Sequence, residues 1–157
     1  MQKIAPCLWF DKEAEDAAKF YVSLFKNSKI TAITRYGDGA PLPKGTVLTV
    51  TFQLEGLDFM ALNGGPVFKF NPAISLLVSV KTQRELDGLW DKLSAGSGAE
   101  GQCGWLTDKF GVSWQIVPSA LGKMMTDKDA GKTSRMMKAL MKMKKLDIAA
   151  LKKAFAG

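Results

Sequence analysis

Two thiols, Cys7 and Cys103, and fifteen carboxylates are the side chains in this sequence best suited to grip a metal, because its 157 residues include no histidine. The commonest general base and the commonest metal ligand are therefore both missing. A cysteine reacts as its thiolate, and Cys7 has no close basic partner in sequence to lower its pKa, so it reads as a buried, inert thiol. The string Asn63-Gly64-Gly65-Pro66 has two readings: a turn whose glycines adopt positive φ, or a loop that faces a ligand.

Apolar residues make up 46% of the chain and charged residues 24%, which excludes a disordered chain, and two cysteines are too few for a disulfide scaffold. The length fits one domain. No apolar run approaches the roughly 18 to 20 residues that span a bilayer, and the opening MQKIAPCLWFDKEAED turns acidic where a signal peptide stays apolar. The expected location is the cytoplasm. Of the net charge of +7, none lies before Ser119, where twelve basic residues balance twelve acidic ones; Ser119 to Gly157 carries ten basic residues against three acidic ones. A neutral body with a basic appendage is expected.

The elements that position these residues follow a repeated order. Ile4 to Phe10 reads as a strand, and Ala14, Ala17, Ala18, Tyr21, Leu24 and Phe25 then recur at helical spacing, with Asp11 as the expected N-cap. Lys29 to Tyr36 alternates as a strand, and TVLTVTFQLEGLDFMALNGG reads as two strands joined at Glu55-Gly56. The order restarts with a strand over Ala73 to Val80. A helix follows, with Leu86, Leu89, Trp90 and Leu93 on one face and a Thr82/Glu85 capping box. Glu100 to Thr107 and Val112 to Pro118 supply short strands around the turn DKFG. Two βαβββ modules, about 2–64 and 72–118, are thus expected, as if by duplication.

With that pattern in place, CLWFDKEAEDAAKFYVSLF, LNGGPVFKFNPAIS and QCGWLTDKFGVSWQIVP resemble the PhnB-like, 3-demethylubiquinone-9 3-methyltransferase-type family of the glyoxalase, bleomycin-resistance and dioxygenase superfamily, the vicinal oxygen chelate fold. The resemblance implies an α+β fold in which two βαβββ modules form curved mixed sheets around a cup, over residues 1–125, followed by a basic amphipathic helical tail over 126–157. It implies a metal position near Ala5 or Cys7, another near Ser75 and a third at Gln115. Alanine coordinates nothing, and serine and glutamine are weak neutral donors, so no metal and no cofactor are expected. An S-adenosylmethionine site would need a glycine-rich loop followed by a helix, and no helix follows Asn63-Gly64-Gly65-Pro66.

Strand alternation places Cys7 and Trp9 on one face and Leu8 and Phe10 on the other, under the first helix. Trp114 and Gln115 likewise point oppositely, and the resemblance puts Gln115 inside the cup. The expected ligand-binding set is Cys7, Trp9, Asn63, Phe68, Phe70, Ser75, Trp105 and Gln115, an aromatic lining suited to a small, partly apolar molecule. Plain core packing is the alternative for Trp9 and Trp105. An enzyme of the same fold is a second reading, and nucleic-acid or protein binding by the tail a third. In the tail, Asp129 to Lys145 should form an amphipathic helix and Asp147 should cap another; packing on the body or on a second subunit would cover their apolar stripes. The expected partners are a small-molecule ligand and a second copy of the chain in a homodimer, with no membrane span.

Overall fold

The computed structural model describes residues 2–157, which fold as two compact units, one up to Phe70 and the other from Asn71 to Gly157. The first runs β1 (Cys7–Phe10), α1 (Ala14–Leu24), β2 (Ser28–Arg35), β3 (Val47–Leu54) and β4 (Leu57–Asn63). Its sheet has the order β1-β4-β3-β2, with β1 parallel to β4 and the other pairs antiparallel. The second repeats the plan with β5 (Leu76–Val80), α2 (Gln83–Leu93), β6 (Ala99–Glu100), β7 (Trp105–Thr107) and β8 (Ser113–Pro118), ordered β5-β8-β7-β6 with β5 parallel to β8. The two mixed sheets have the α+β, βαβββ architecture expected from the sequence.

Each sheet buries one face against its helix. In the first unit Ala14, Ala17, Ala18 and Tyr21 of α1 are buried, as are Leu8, Phe10, Val50 and Ala61 on the facing strands. Phe52 pairs with Phe59 across β3 and β4, the rings stacked 5.3 Å apart, and Tyr21 lies against Phe52. Burying such a ring stabilises the fold by about 1.5–3 kcal/mol. The β3–β4 turn is the expected one, with Glu55 and Gly56 both at positive φ (48° and 84°), the geometry whose twist matches a hairpin. In the second unit Leu86, Leu89, Trp90 and Leu93 of α2 are buried. Thr82 Oγ1 accepts from Glu85 N, while Glu85 reaches back to Lys81 N, one residue before the cap.

The expected Asp11 cap is corrected. The cap position of α1 is Glu13, whose side chain makes no capping bond; instead Asn63 Oδ1, 49 residues away, accepts from Ala14 N at 2.8 Å. The tail also differs in detail. A short helix α3 (Leu121–Met125) precedes α4 (Ala130–Leu140), which ends before Lys145, and α5 (Ile148–Ala156) begins at the expected Asp147 cap. After Leu140 the bonds tighten to Lys142 N→Ala139 O and Met143 N→Leu140 O, which closes the helix, and the carbonyls of Met143 and Lys144 then accept from Cys103 N and Gly104 N. The tail packs within the second unit. Gln83 Nε2 donates to Leu146 O, Ile148 N donates to Gln83 Oε1, and Lys145 bridges Asp87 and Asp91 at 3.1 and 3.6 Å. Met136, Leu140, Leu146 and Leu151 are buried there. Among the described residues no helix is long and apolar enough to cross a membrane.

Candidate functional site

In the first unit Trp9 stands on the sheet face opposite α1. Its Nε1 donates to Gly65 O at 2.9 Å, and its ring meets Phe68 edge-on at 5.0 Å. Gly64 lies flat beneath the indole, where a Cβ would overlap the ring atoms Cζ2 and Cε2. Asn63 fastens this corner from both ends of its amide: besides accepting from Ala14, it donates from Nδ2 to Val47 O at 3.1 Å. The Asn63-Gly64-Gly65-Pro66 string is thus a turn with Gly65 at φ +87°, and it also edges an open cavity of about 580 Å³. Asp11, Lys12, Glu15, Asp16 and Tyr36 are among the other residues that line it. Glu15 is bonded to Lys19 and Arg35, which hold its carboxyl below the usual range, the Lys19 hydrogen bond most of all.

Trp9, Phe68 and Gly64 are therefore brought together, but Phe70 is not with them. Its ring packs edge-on against Phe10 at 5.1 Å, and Phe10 is buried on the other side of β1. Cys7 shares the Trp9 face and is exposed, which corrects the expectation of a buried thiol. Partial burial of the sulfur still pushes its pKa up, so it is protonated at neutral pH. Sequence alternation alone did not pick out Met60 and Thr51, or Leu62 and Thr49. They extend the Cys7 and Trp9 rows across the sheet through the β1–β4–β3 register.

In the second unit Gln115 Nε2 donates to Ser75 Oγ at 2.9 Å. Gln115 pairs with Leu77 on one side and Trp105 on the other, so these three side chains form a row on one face. Leu77 is 60% exposed; Gln115 and Trp105 are half-buried. Leu77 was the member that sequence reasoning missed, since only the strand register reveals it. Trp114 points the other way, is 1% exposed, and donates from Nε1 to Asp108 Oδ2 at 2.8 Å. Asp108 Oδ1 also accepts from Phe110 N and Val112 N, which fixes the turn that aims β8. A cavity of about 220 Å³ opens beside Trp105, with Ala99, Thr107 and Ser113 in its wall.

Residues 2–117 match the family described as 3-demethylubiquinone-9 3-methyltransferase. The chain belongs to this family. Among solved structures this family member is similar to a PhnB protein from Bacillus cereus, at 40% identity and a TM-score of 0.69 over 74% of this chain and 99% of that one. A Pseudomonas aeruginosa protein shares the fold at 20% identity and a TM-score of 0.61, covering 75% of this chain and 98% of its own. A glyoxalase/bleomycin resistance protein/dioxygenase domain from a Frankia species aligns at 16% identity and a TM-score of 0.47, over 75% and 92% of the two chains. No curated protein matches the sequence.

The family name implies S-adenosylmethionine, and the residues present do not fit it. The N–H groups of Gly64 and Gly65 already donate to Phe10 O and Asp11 O, and the next helix begins only at Gln83. The donors marked for a metal fit no better. Cys7 is a lone thiol, while Ser75 and Gln115 are neutral and bonded to each other. Among the described residues no three His, Cys, Asp or Glu side chains gather where an ion could sit.

Proposed function

We propose that this member of the 3-demethylubiquinone-9 3-methyltransferase family binds a small, partly apolar organic molecule on the open faces of its sheets, without a metal. The observation that carries this reading is the row Leu77–Gln115–Trp105, with Ser75 bonded to its centre, on the face of the second sheet turned away from α2. An exposed leucine and a half-buried indole around an amide provide apolar area with a few directional polar groups, the usual make-up of a small-molecule site. The Trp9 face of the first unit, bounded by Phe68, has the same character.

The four tryptophans give the test. Trp90 and Trp114 are buried and donate from Nε1 to Glu100 and Asp108, whereas Trp9 and Trp105 are only half-buried and stand on the open faces. Titration with a library of small aromatic and aliphatic compounds, followed by the four indole resonances in ¹⁵N NMR spectra, should move Trp9 or Trp105 saturably and leave Trp90 and Trp114 in place. A library that moves neither open-face indole overturns the reading.

A further inference from the structure

Resting on that reading, we propose that the second sheet selects a neutral, planar molecule carrying a hydrogen-bond donor and an acceptor side by side on one edge, as in a carboxamide or lactam, and that Ser75 and Gln115 read this edge between Leu77 and Trp105.

The hydrogen-bond complement of the pair leads there. A serine hydroxyl has one proton and two acceptor sites. Because Ser75 Oγ accepts from Gln115 Nε2, its own proton is available to a ligand, and Gln115 Oε1 is available beside it as an acceptor. Turning the glutamine amide over exchanges the roles: Ser75 then donates to the amide oxygen and accepts from the ligand, and the NH₂ group donates. Either arrangement presents one donor next to one acceptor. The matching partner presents the opposite pair on adjacent atoms.

Charge and shape narrow the class further. None of the strands that carry the row, β5 (LLVSV), β7 (WLT) and β8 (SWQIVP), contains a charged residue, so an ionic ligand placed on it would lose water without gaining a counter-charge from them. Neighbouring strands lie about 4.8 Å apart, so Leu77 and Trp105 flank Gln115 at about 10 Å from each other. That gap admits one ring standing edge-on over the amide, with an aromatic wall on one side and an aliphatic wall on the other. A ligand of the same shape without the donor would leave a desolvated polar group unmatched, which is how a hydrogen-bonding site rejects isosteres.

Three probes test the assignment: benzamide, which has the donor–acceptor edge; methyl benzoate, which has only acceptors; and benzoate, which is charged. The readout is the Trp105 indole resonance, with the Gln115 side-chain amide as a second signal. Benzamide should bind about tenfold more tightly than methyl benzoate, the worth of one hydrogen bond of ordinary strength, and benzoate should bind more weakly than benzamide. In Gln115→Leu, and separately in Ser75→Ala, which lies outside the strand, the preference for benzamide should collapse while methyl benzoate still binds. Equal affinity for benzamide and methyl benzoate in the native protein overturns the selectivity and leaves the apolar site standing. So does a preference that survives in both variants. Silence of Trp105 toward all three probes overturns the selectivity and counts against the proposed function of this face as well.

Discussion

Gly64→Ala tests the Trp9 corner most sharply, because the glycine is needed for what lies next to it and not for an unusual φ. A Cβ there overlaps Cζ2 and Cε2 of the indole and lies 2.6 Å from Cη2. The ring cannot yield by turning a flexible end, since its Nε1 is tied to Gly65 O and its edge abuts Phe68. Overpacking of this kind costs about 1–3 kcal/mol. Losing the indole hydrogen bond adds about 1 kcal/mol, so the substitution should destabilise the protein by about 2–4 kcal/mol in urea unfolding. The control is Trp9→Ala. With the ring gone the methyl group has room, and Gly64→Ala should be neutral or stabilise by up to about 1 kcal/mol through the unfolded chain. A cost in the Trp9→Ala background equal to that in the native protein would refute the reasoning.

Further outcomes follow from single contacts. Asn63→Ala removes both the α1 cap and the bond to Val47 O, and should lower stability by about 1–3 kcal/mol in the same urea assay. Asp11→Ala should lower it by much less, since Asn63 makes the capping bond. Cys7 should be alkylated by iodoacetamide more slowly at neutral pH than a free cysteine, with the rate rising through a pH above the ordinary thiol value, because burial favours its protonated form. Asp87 is held below the usual carboxylate range by its hydrogen bond from Gln83 and then by Lys145. A carboxylate depressed on folding contributes stability above its unfolded pKa that is lost as pH falls through the folded value. Acid should therefore loosen the docking of the tail, and Asp87→Asn should remove that part of the pH dependence of hydrogen exchange at Leu146 and Ile148.

The parts of the fold legible in the sequence were those governed by short-range periodicity. The α2 stripe, the Thr82 and Asp147 caps and the Glu55-Gly56 hairpin depend on residues a few positions apart, and they stand where spacing put them. What escaped was set by distant partners. Asp11 has the right chemistry for a cap, yet Asn63 reaches Ala14 first because the parallel pairing of β1 with β4 sets Phe10 opposite Asn63. The tail helix pattern runs on past Leu140, but its carbonyls turn to Cys103 and Gly104. In the candidate site, alternation correctly set Gln115 opposite to Trp114, and the resemblance pointed to Ser75. The register that sets Leu77 and Trp105 on either side of Gln115 is a property of the assembled sheet and has no local signal. Phe70 shows the same limit: its type suits an aromatic lining, while the chain path carries it to Phe10 instead.

Native mass spectrometry of the full chain, purified without chelator from cells that produce it, tests the central claim most directly. The account predicts a folded species heavier than the bare chain by one small neutral organic molecule, released on denaturation, with no stoichiometric metal. A species that carries one divalent ion per chain and no organic molecule would contradict it.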